Sequence, residues 1–256
     1  MRPVYVTGLG LWTSGHASAE SWCRSDFDAS VETPAVALLS GPLRRRATGL
    51  TRMAVEVFHQ ATRQAGCNPS TIPSVWATSN GEHTTAIKIL DMMRRGEGKL
   101  SPTHFHNSVH NTASGYASIA TGNYAPSTTL TGGPELVASS LLEAMCHLEA
   151  SAEVVVLVLA DEPLLPPFER GDGTSALALA FCLSSRPEGA VAVLSGMRRD
   201  AVAAVKYHDR FGRIYVGAAL PLLERIVLRR PGTVALELEG EHPGPVPCVD
   251  LELVGA

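Results

Sequence analysis

The order of apolar and polar residues along the chain predicts alternating strands and helices. Between Leu50 and Ala65 apolar side chains recur every three or four residues and Gly66 follows, which predicts a helix with a glycine stop. Val154–Ala160 is apolar throughout, as is typical of a strand covered on both faces. Thr233–Glu239 alternates apolar and polar residues, which predicts a half-exposed strand. Further strands are predicted at Val4–Thr7, Val75–Ser79, Ser127–Thr131, Leu177–Leu183, Ala190–Leu194 and Cys248–Val254.

Helices are predicted between these strands, at Thr84–Arg95, Asn111–Ala120 and Ala218–Leu228. Pro134 is expected to open another, because the missing N–H of proline costs nothing at a first helical position. This alternation predicts an α/β fold, with a layered, mostly parallel or mixed sheet and helices on both faces. No linker or repeat divides residues 1–195, whereas residues 196–256 are less regular and are expected to form a short divergent C-terminal tail of a helix and strands.

Composition and charge exclude several function classes. The chain has 256 residues, 45% of them hydrophobic, and a formal net charge of −4, so it has no general attraction to nucleic acid or to an anionic membrane. No apolar run approaches the ~18 residues of a membrane span, and Met1–Gly15 favours a strand and glycine turn over a signal peptide. Five scattered cysteines predict reduced thiols, with Cys146 and Cys182 buried in apolar segments. We therefore expect a soluble, cytoplasmic protein.

Gly8-Leu9-Gly10 resembles the start of a dinucleotide-binding loop. The third glycine of that pattern would fall at Thr13, and no acidic residue follows at the ribose-binding spacing. A structural turn that ends the first strand is the favoured interpretation.

His104, His106 and His110 form a local cluster that provides an alternative function. His106 and His110 have the i,i+4 spacing with which two imidazoles can chelate zinc on a helix. No acidic residue lies between Pro102 and Asn123, so a third ligand and a general base would have to come from elsewhere. An independent metal-dependent enzyme stays open as a hypothesis.

Pro126–Glu135 predicts a strand, a tight glycine turn and the start of a helix. In many α/β enzymes such a turn carries the nucleophile, because a helix N-terminus stabilises a thiolate or an oxyanion. Here proline and the two glycines have no attacking atom, and Thr131 has no evident base. For Glu135 we expect a favourable interaction with the helix dipole.

Several segments occur in a recognisable order: Val4–Gly10, Asn111–Tyr116, Ile119–Pro126, Val154–Glu162, and Phe168–Gly173 followed by Ala176–Ala180. Together they resemble the N-terminal half of the β-ketoacyl synthases of the thiolase superfamily. The likeness covers about residues 1–195 and implies a thiolase-like half fold. A second half would need roughly 100 residues or more, which residues 196–256 do not supply.

The resemblance places the family's catalytic cysteine eight residues after Pro126, at Pro134. The family's two catalytic histidines lie in a Gly-Thr-Gly-Thr-type loop and a Gly-His loop, and neither motif occurs in this sequence. Beyond residue 200 the histidines are His208 and His242, in unrelated contexts. The resemblance therefore implies a protein that does not catalyse the decarboxylating condensation and has no catalytic residue, metal or cofactor of its own.

The resemblance also implies a partner, because ketosynthases dimerise through antiparallel pairing of the strand before the nucleophile. The interface residues it implies are Ser127, Thr128, Thr129, Leu130, Thr131, Asn111 and Gly115. The segment with His104, Phe105 and His106 would reach toward the neighbour's acyl tunnel. Inactive homologues of this kind are chain length factors, and short ones occur in aryl polyene and xanthomonadin-type pigment pathways.

We therefore expect a heterodimer with an active β-ketoacyl synthase that handles chains on an acyl carrier protein. A homodimeric acyl-binding scaffold is the alternative that keeps the fold. Four arginine clusters are candidates for docking the carrier protein or are simply solvated surface, at Arg44–Arg46, Arg94–Arg95, Arg198–Arg199 and Arg229–Arg230.

Overall fold

A computed structural model describes residues 2–96, 98–166, 168, 175–212 and 214–255. Within them one eight-stranded sheet has the order β3-β2-β4-β5-β1-β6-β8-β7. The strands are β1 (Val4–Trp12), β2 (Ser74–Thr78), β3 (Ser127–Thr131), β4 (Val154–Asp161), β5 (Leu177–Ser184), β6 (Ala192–Asp200), β7 (Gly232–Ala235) and β8 (Val246–Leu253). β2 pairs in parallel with β3 and β4, and the other neighbours are antiparallel. The predicted mixed sheet is confirmed, but it is not mostly parallel, because the parallel pairings are confined to β2 with its two neighbours at one edge.

The helices are α1 (Ala19–Cys23), α2 (Gly41–Arg46), α3 (Gly49–Gln64), α4 (His83–Arg95), α5 (Pro102–His106), α6 (Thr112–Thr121), α7 (Leu136–Ala150) and α8 (Leu220–Val227), which a 3-10 turn at Tyr215–Ala219 precedes. The ends of α3, α4 and α6 lie within one residue of the predicted ends. The sequence did not predict α1, α2 or α5, because helices of five or six residues are too short to show an apolar period. None of the helices in the described ranges is both long and apolar enough to cross a bilayer.

Helices cover both faces of the sheet. Leu157 in β4 belongs to the core that contains α7 and α8, and the next residue, Val158, belongs to the core that contains α3 and α6. Successive side chains of a strand point to opposite faces, so a strand covered on both sides must be apolar throughout. This confirms the prediction drawn from Val154–Ala160.

The glycines near the start of the chain do not end the first strand, contrary to the prediction of a turn. β1 continues through Gly8 and Gly10 to Trp12 and pairs with β5 along this length. A Cβ at Gly8 would lie 2.2 Å from the carbonyl oxygen of Ala61, and one at Gly10 would lie 2.4 Å from that of Val57. The glycines therefore let the backbone of α3 lie directly on β1.

The residues after 195 belong to the same sheet. The boundary drawn at residue 195 lies inside β6, and β8 then pairs with β6 while β7 pairs with β8. The predicted strand at Thr233–Glu239 is too long, because β7 ends at Ala235. Beyond it, residues 237–239 pair with Val205 instead of with β8. The N–H of Val205 donates to the carbonyl of Glu237 at 2.8 Å, and the N–H of Glu239 donates to the carbonyl of Val205 at 2.8 Å. The division into a ketosynthase-like half and a tail stays a prediction.

The five cysteines are free thiols, and their burial differs from the expectation at one position. Cys182 is buried in β5, as predicted, whereas Cys146 is exposed on the outer face of α7. Of the segment Phe168–Gly173, which resembles the start of a hairpin, residues 169–173 lie outside the described part of the chain. The strand that follows it, β5, is where the sequence predicts it.

Candidate functional site

β3 forms one edge of the sheet. Ser127–Thr131 has the predicted bounds and pairs with β2 on one side, and no other described strand lies on its outer side. Ser127 and Thr131 are exposed, and the three residues between them are half-buried. The outer edge therefore presents backbone N–H and C=O groups that a strand of another chain can pair with.

α6 covers one face of this edge. The side-chain hydroxyls of Ser114 and Thr129 lie 3.3 Å apart and join the helix to the strand. Asn111, Gly115 and Ile119 are exposed and spaced four residues apart, so they share one side of the helix. A Cβ at Gly115 would meet nothing within 4 Å, so the described chain leaves this side open.

α7 covers the opposite face. The ring Nε2 of His147 lies 3.3 Å from the hydroxyl of Thr128 and links the helix to the strand. Ser139, Leu142 and Cys146 form an exposed row along α7 without a charged side chain. Each of the two helices that flank the strand edge thus presents a row of exposed, uncharged side chains, and Glu143 of α7 lies against His147 beside that row.

The part of the chain that leads to β3 and follows it contributes most of the exposed apolar side chains and has few charges. Of the large apolar side chains that are exposed in the described residues, most lie between residues 90 and 142, namely Leu90, Met93, Leu100, Phe105, Val109, Ile119, Tyr124 and Leu142. No Asp, Glu, Lys or Arg occurs between Lys99 and Glu135. Charge depletion with exposed apolar and aromatic side chains is typical of the core of a protein interface. This gap in charged residues is visible in the sequence, although no short motif within it marks a site.

His104, Phe105 and His106 lie in the short helix α5 and are all exposed, Phe105 to 67%. Asn107 anchors the end of this helix. Its amide donates to the carbonyl of Arg46 at 2.6 Å, and its side-chain oxygen accepts from the Tyr116 hydroxyl at 3.1 Å. The segment is thus held at its base while its side chains point away from the core.

The structure does not support zinc chelation by His106 and His110 on one helix. α5 ends at His106 and α6 begins at Thr112, so His110 lies between two helices rather than one turn further along the same one. Among the described residues, the cluster of potential metal ligands that lies within ligand distance is Glu135, Glu237 and His242, and it does not include His104, His106 or His110.

The turn after β3 differs from the prediction in where the helix begins. α7 starts at Leu136, and Pro134 and Glu135 form the turn before it. Pro134, which the resemblance assigns to the nucleophile position, therefore lies in the turn just before the helix and not at its first position. Glu135 forms an ion pair with Arg199 of β6, which brings the C-terminal part of the sheet to this turn.

Asp161 is a fully buried carboxylate at the end of β4, next to the end of β2. It accepts hydrogen bonds from the hydroxyl of Thr78 at 2.7 Å and from the hydroxyl of Ser79 at 2.6 Å. Burial nevertheless raises the pKa of Asp161 to about 6. The carboxylate joins the ends of two parallel strands, and so supports the strand edge beside them.

Glu82 is a second buried carboxylate, in the turn after β2. Its Oε1 accepts from the hydroxyls of Thr48 at 2.6 Å and Thr51 at 2.7 Å, which fixes the turn to the start of α3. Burial is the main cause that raises the pKa of Glu82 to about 7, and the charge of Glu162 adds a smaller upward effect. The sequence did not predict this group, because nothing local marks it as buried.

The core between β3 and α6 has little free space. A cavity of about 20 Å³, lined in part by Trp76, His110, Ala113 and Thr129, lies there. That volume is room for about one water molecule. The indole of Trp76 is 4% exposed and stacks on Phe58 with ring centroids 5.5 Å apart, so the two rings fill this part of the core.

Several solved structures share this fold. A chain from a ketosynthase in complex with its chain length factor from Xenorhabdus doucetiae aligns with a TM-score of 0.73 and 18% identity, over 98% of this chain and 100% of that one. A chain of the ishigamide ketosynthase/chain length factor aligns with a TM-score of 0.73 and 12% identity, over 99% and 100%. A chain from a type II polyketide synthase acyl-carrier protein in complex with its ketosynthase aligns with a TM-score of 0.62 and 15% identity, over 78% and 69%. No curated protein matches the sequence.

The sequence also matches a family model directly. The model of the β-ketoacyl synthase N-terminal domain matches residues 19–210, a range that contains β3, the turn at Pro134 and both flanking helices. The eight-stranded mixed sheet and the three shared folds agree with the thiolase-like architecture expected from the resemblance. The chain therefore belongs to the family of β-ketoacyl synthase N-terminal domains.

Proposed function

We propose that this protein is a non-catalytic, chain-length-factor-like subunit that pairs with an active β-ketoacyl synthase. The observation that carries the proposal is the exposed edge of β3, flanked by exposed small and apolar residues of α6 and α7, with Glu143 of α7 lying against His147. An unpaired strand edge within an apolar surface is an aggregation hazard unless another chain covers it. A synthase that presents its own equivalent strand would continue the sheet across two subunits.

The lack of catalysis is supported by the turn at Pro134. Proline cannot form the acyl thioester that begins the condensation, and neighbouring Gly132 and Gly133 have no side chain. Glu135 is engaged with Arg199. Two solved complexes of a ketosynthase with a chain length factor each contain a chain that this protein matches over its full length, which supports a subunit of similar size.

The tunnel role is proposed for His104, Phe105 and His106. Their exposure and the anchor at Asn107 suit a segment that enters a neighbouring subunit. The cavity beside Trp76 is too small for an acyl chain, which supports a heterodimer in which the partner contains the acyl tunnel and this chain closes its end. The substrate class is a growing polyene or polyketide chain on an acyl carrier protein, of the aryl polyene or xanthomonadin type, handled in the cytoplasm.

The test is co-expression with a candidate ketosynthase, followed by size-exclusion chromatography and native mass spectrometry. We expect a one-to-one heterodimer and synthase activity that depends on this chain. Separate elution of the two proteins with unchanged synthase activity would refute the proposal. A stable homodimer that ignores the synthase would favour the acyl-binding scaffold.

A matched pair of variants locates the interface. Leu142 and Leu228 are both 42% exposed, and only Leu142 lies on the surface beside β3. Burying an aspartate in an apolar interface costs several kcal/mol, so Leu142→Asp is expected to weaken pairing by about 100-fold. Leu228→Asp should leave the affinity unchanged. Equal effects of the two variants would contradict the assignment of the surface.

Product length tests the tunnel segment. Phe105→Trp and His106→Trp add bulk where we place the end of the acyl chain, so the coupled synthase should release shorter products. Phe27 is 64% exposed, close to the 67% of Phe105, and lies outside the β3 surface, so Phe27→Trp is the control. Products of unchanged length from all three variants would contradict the placement.

A further inference from the structure

Three potential metal ligands from distant parts of the chain meet beside the turn at Pro134. Ligand atoms of Glu135, Glu237 and His242 all lie within 4.8 Å of one another. Glu135 follows β3, Glu237 follows β7, and His242 lies in the loop before β8. Although the sequence context of His242 is unrelated to the family's histidines, the fold brings its ring to the turn at the nucleophile position.

Glu237 is the unusual member of this cluster. Its side chain is 1% exposed, and its Oε1 lies 2.8 Å from Nδ1 of His242. Its Oε2 is buried and has no hydrogen-bond partner among the described residues. A buried carboxylate oxygen without a partner is costly, and a cation is a chemical species that satisfies it.

We propose that Glu135, Glu237 and His242 bind one divalent transition-metal ion of the zinc class. Two carboxylate oxygens and one imidazole nitrogen are zinc ligands, and three protein ligands leave a fourth position for water. Calcium and magnesium take oxygen ligands, so the imidazole disfavours both. Glu135 and His242 are exposed, so their side chains can turn toward the ion while Glu237 stays fixed.

Arg199 is the natural competitor for this site. Its guanidinium pairs with Glu135 and also donates to the carbonyl of Pro245 at 2.9 Å. An incoming cation replaces the guanidinium at Glu135, whereas the bond to Pro245 can remain. The bound ion would join the turn after β3 to the C-terminal loop, where the family's nucleophile would otherwise lie. This site does not depend on the proposed partner, so either can fail without the other.

Metal binding is measured on the full chain after treatment with a chelator. Equilibrium dialysis against zinc with elemental analysis gives the stoichiometry, and visible absorption of the Co²⁺ form reports the ligands. We expect one ion per chain and a loss of affinity of at least about 100-fold in His242→Ala, because one of three ligands is removed. His242 is exposed, so its replacement should leave the fold intact. Glu237→Gln, which keeps the size of the side chain, should weaken binding similarly.

Two control variants exclude other sources of zinc binding. His106→Ala and Cys146→Ser remove exposed ligands outside the site and should bind zinc as the unchanged chain does. No binding below about 1 mM zinc, or binding that survives His242→Ala and disappears in either control, would overturn the proposal.

Variants of Arg199 and Arg198 test the site by an expected gain of zinc affinity instead of a loss. Arg199→Ala frees Glu135 and should tighten zinc binding by about 10-fold. Arg198 lies on the same strand but pairs with Asp200 and Asp250, so Arg198→Ala removes the same charge without freeing Glu135. Tighter binding in both variants, or in neither, would remove Glu135 from the site.

Discussion

Replacing Glu82 by glutamine should make the stability of this protein less sensitive to pH. Glu82 is 3% exposed, and burial raises its pKa from 4.5 to about 7. Its Oε1 accepts from the hydroxyls of Thr48 and Thr51, and the amide oxygen of a glutamine can accept the same two bonds. The variant therefore removes the titration and keeps the contacts.

The sign and size follow from the two pKa values. Between pH 4.5 and about 7 the folded chain holds a proton on Glu82 that the unfolded chain has lost, so the free energy of unfolding falls as pH rises through this window. The gap between the two pKa values corresponds to about 3 kcal/mol at pH 8, and to less than about 1 kcal/mol at pH 5. Since glutamine carries no such penalty, Glu82→Gln should be about 3 kcal/mol more stable than the unchanged chain at pH 8.

Urea unfolding at pH 5 and pH 8, followed by circular dichroism, measures the difference directly. A gain of about 3 kcal/mol corresponds to a rise in Tm of about 6–12 °C for a domain of this size. Asp161, whose pKa is raised to about 6, also lowers the free energy of unfolding as pH rises. This effect is the same in the variant and the unchanged chain, so it cancels in the difference between them. Glu188→Gln, at an exposed carboxylate, is the control and should change neither value. If Glu82→Gln shifts the stability equally at both pH values, the reasoning from burial is refuted.

Two further predictions concern backbone contact and thiol chemistry. Gly10→Ala places a Cβ 2.4 Å from the carbonyl oxygen of Val57 and should lower the free energy of unfolding by about 2–3 kcal/mol. Gly115→Ala adds a Cβ in open space on α6 and should raise the free energy of unfolding of the isolated chain by about 0.5–1 kcal/mol. Urea titration of both variants checks these values. The thiols of Cys182 and Cys67 lie 3.8 Å apart, and their hydrogen bond lowers the pKa of Cys67. Burial raises the pKa of Cys23 to about 11. Maleimide at pH 7.5 should therefore label Cys67 faster than Cys23. Peptide mass spectrometry measures the two rates, and equal labelling would contradict this.

Local patterns determined the main elements of the fold. The apolar run at Val154–Ala160 predicted β4 because a strand covered on both faces has no polar side. The resemblance assigned Pro134 to the nucleophile position, which stays a prediction, whereas the residue types of Ser127–Thr131 predicted β3 with its observed bounds. Such inferences succeed because the signal lies within a few neighbouring residues, where period and residue type reflect burial directly.

The exposure of the strand edge and the contacts of the C-terminal segment were decided only by tertiary structure. Gly8 and Gly10 suggested a turn, and only the approach of α3 shows that they instead admit a helix onto β1. His242 had no motif around it, yet β7 and β8 place it beside Glu135, more than a hundred residues earlier in the chain. Contacts of this separation depend on which strands become neighbours in the sheet, and residues that are adjacent in sequence contain no record of that order. The sequence alone therefore determined the strands and the longer helices, while the order of the strands in the sheet decided which strand edge stays exposed.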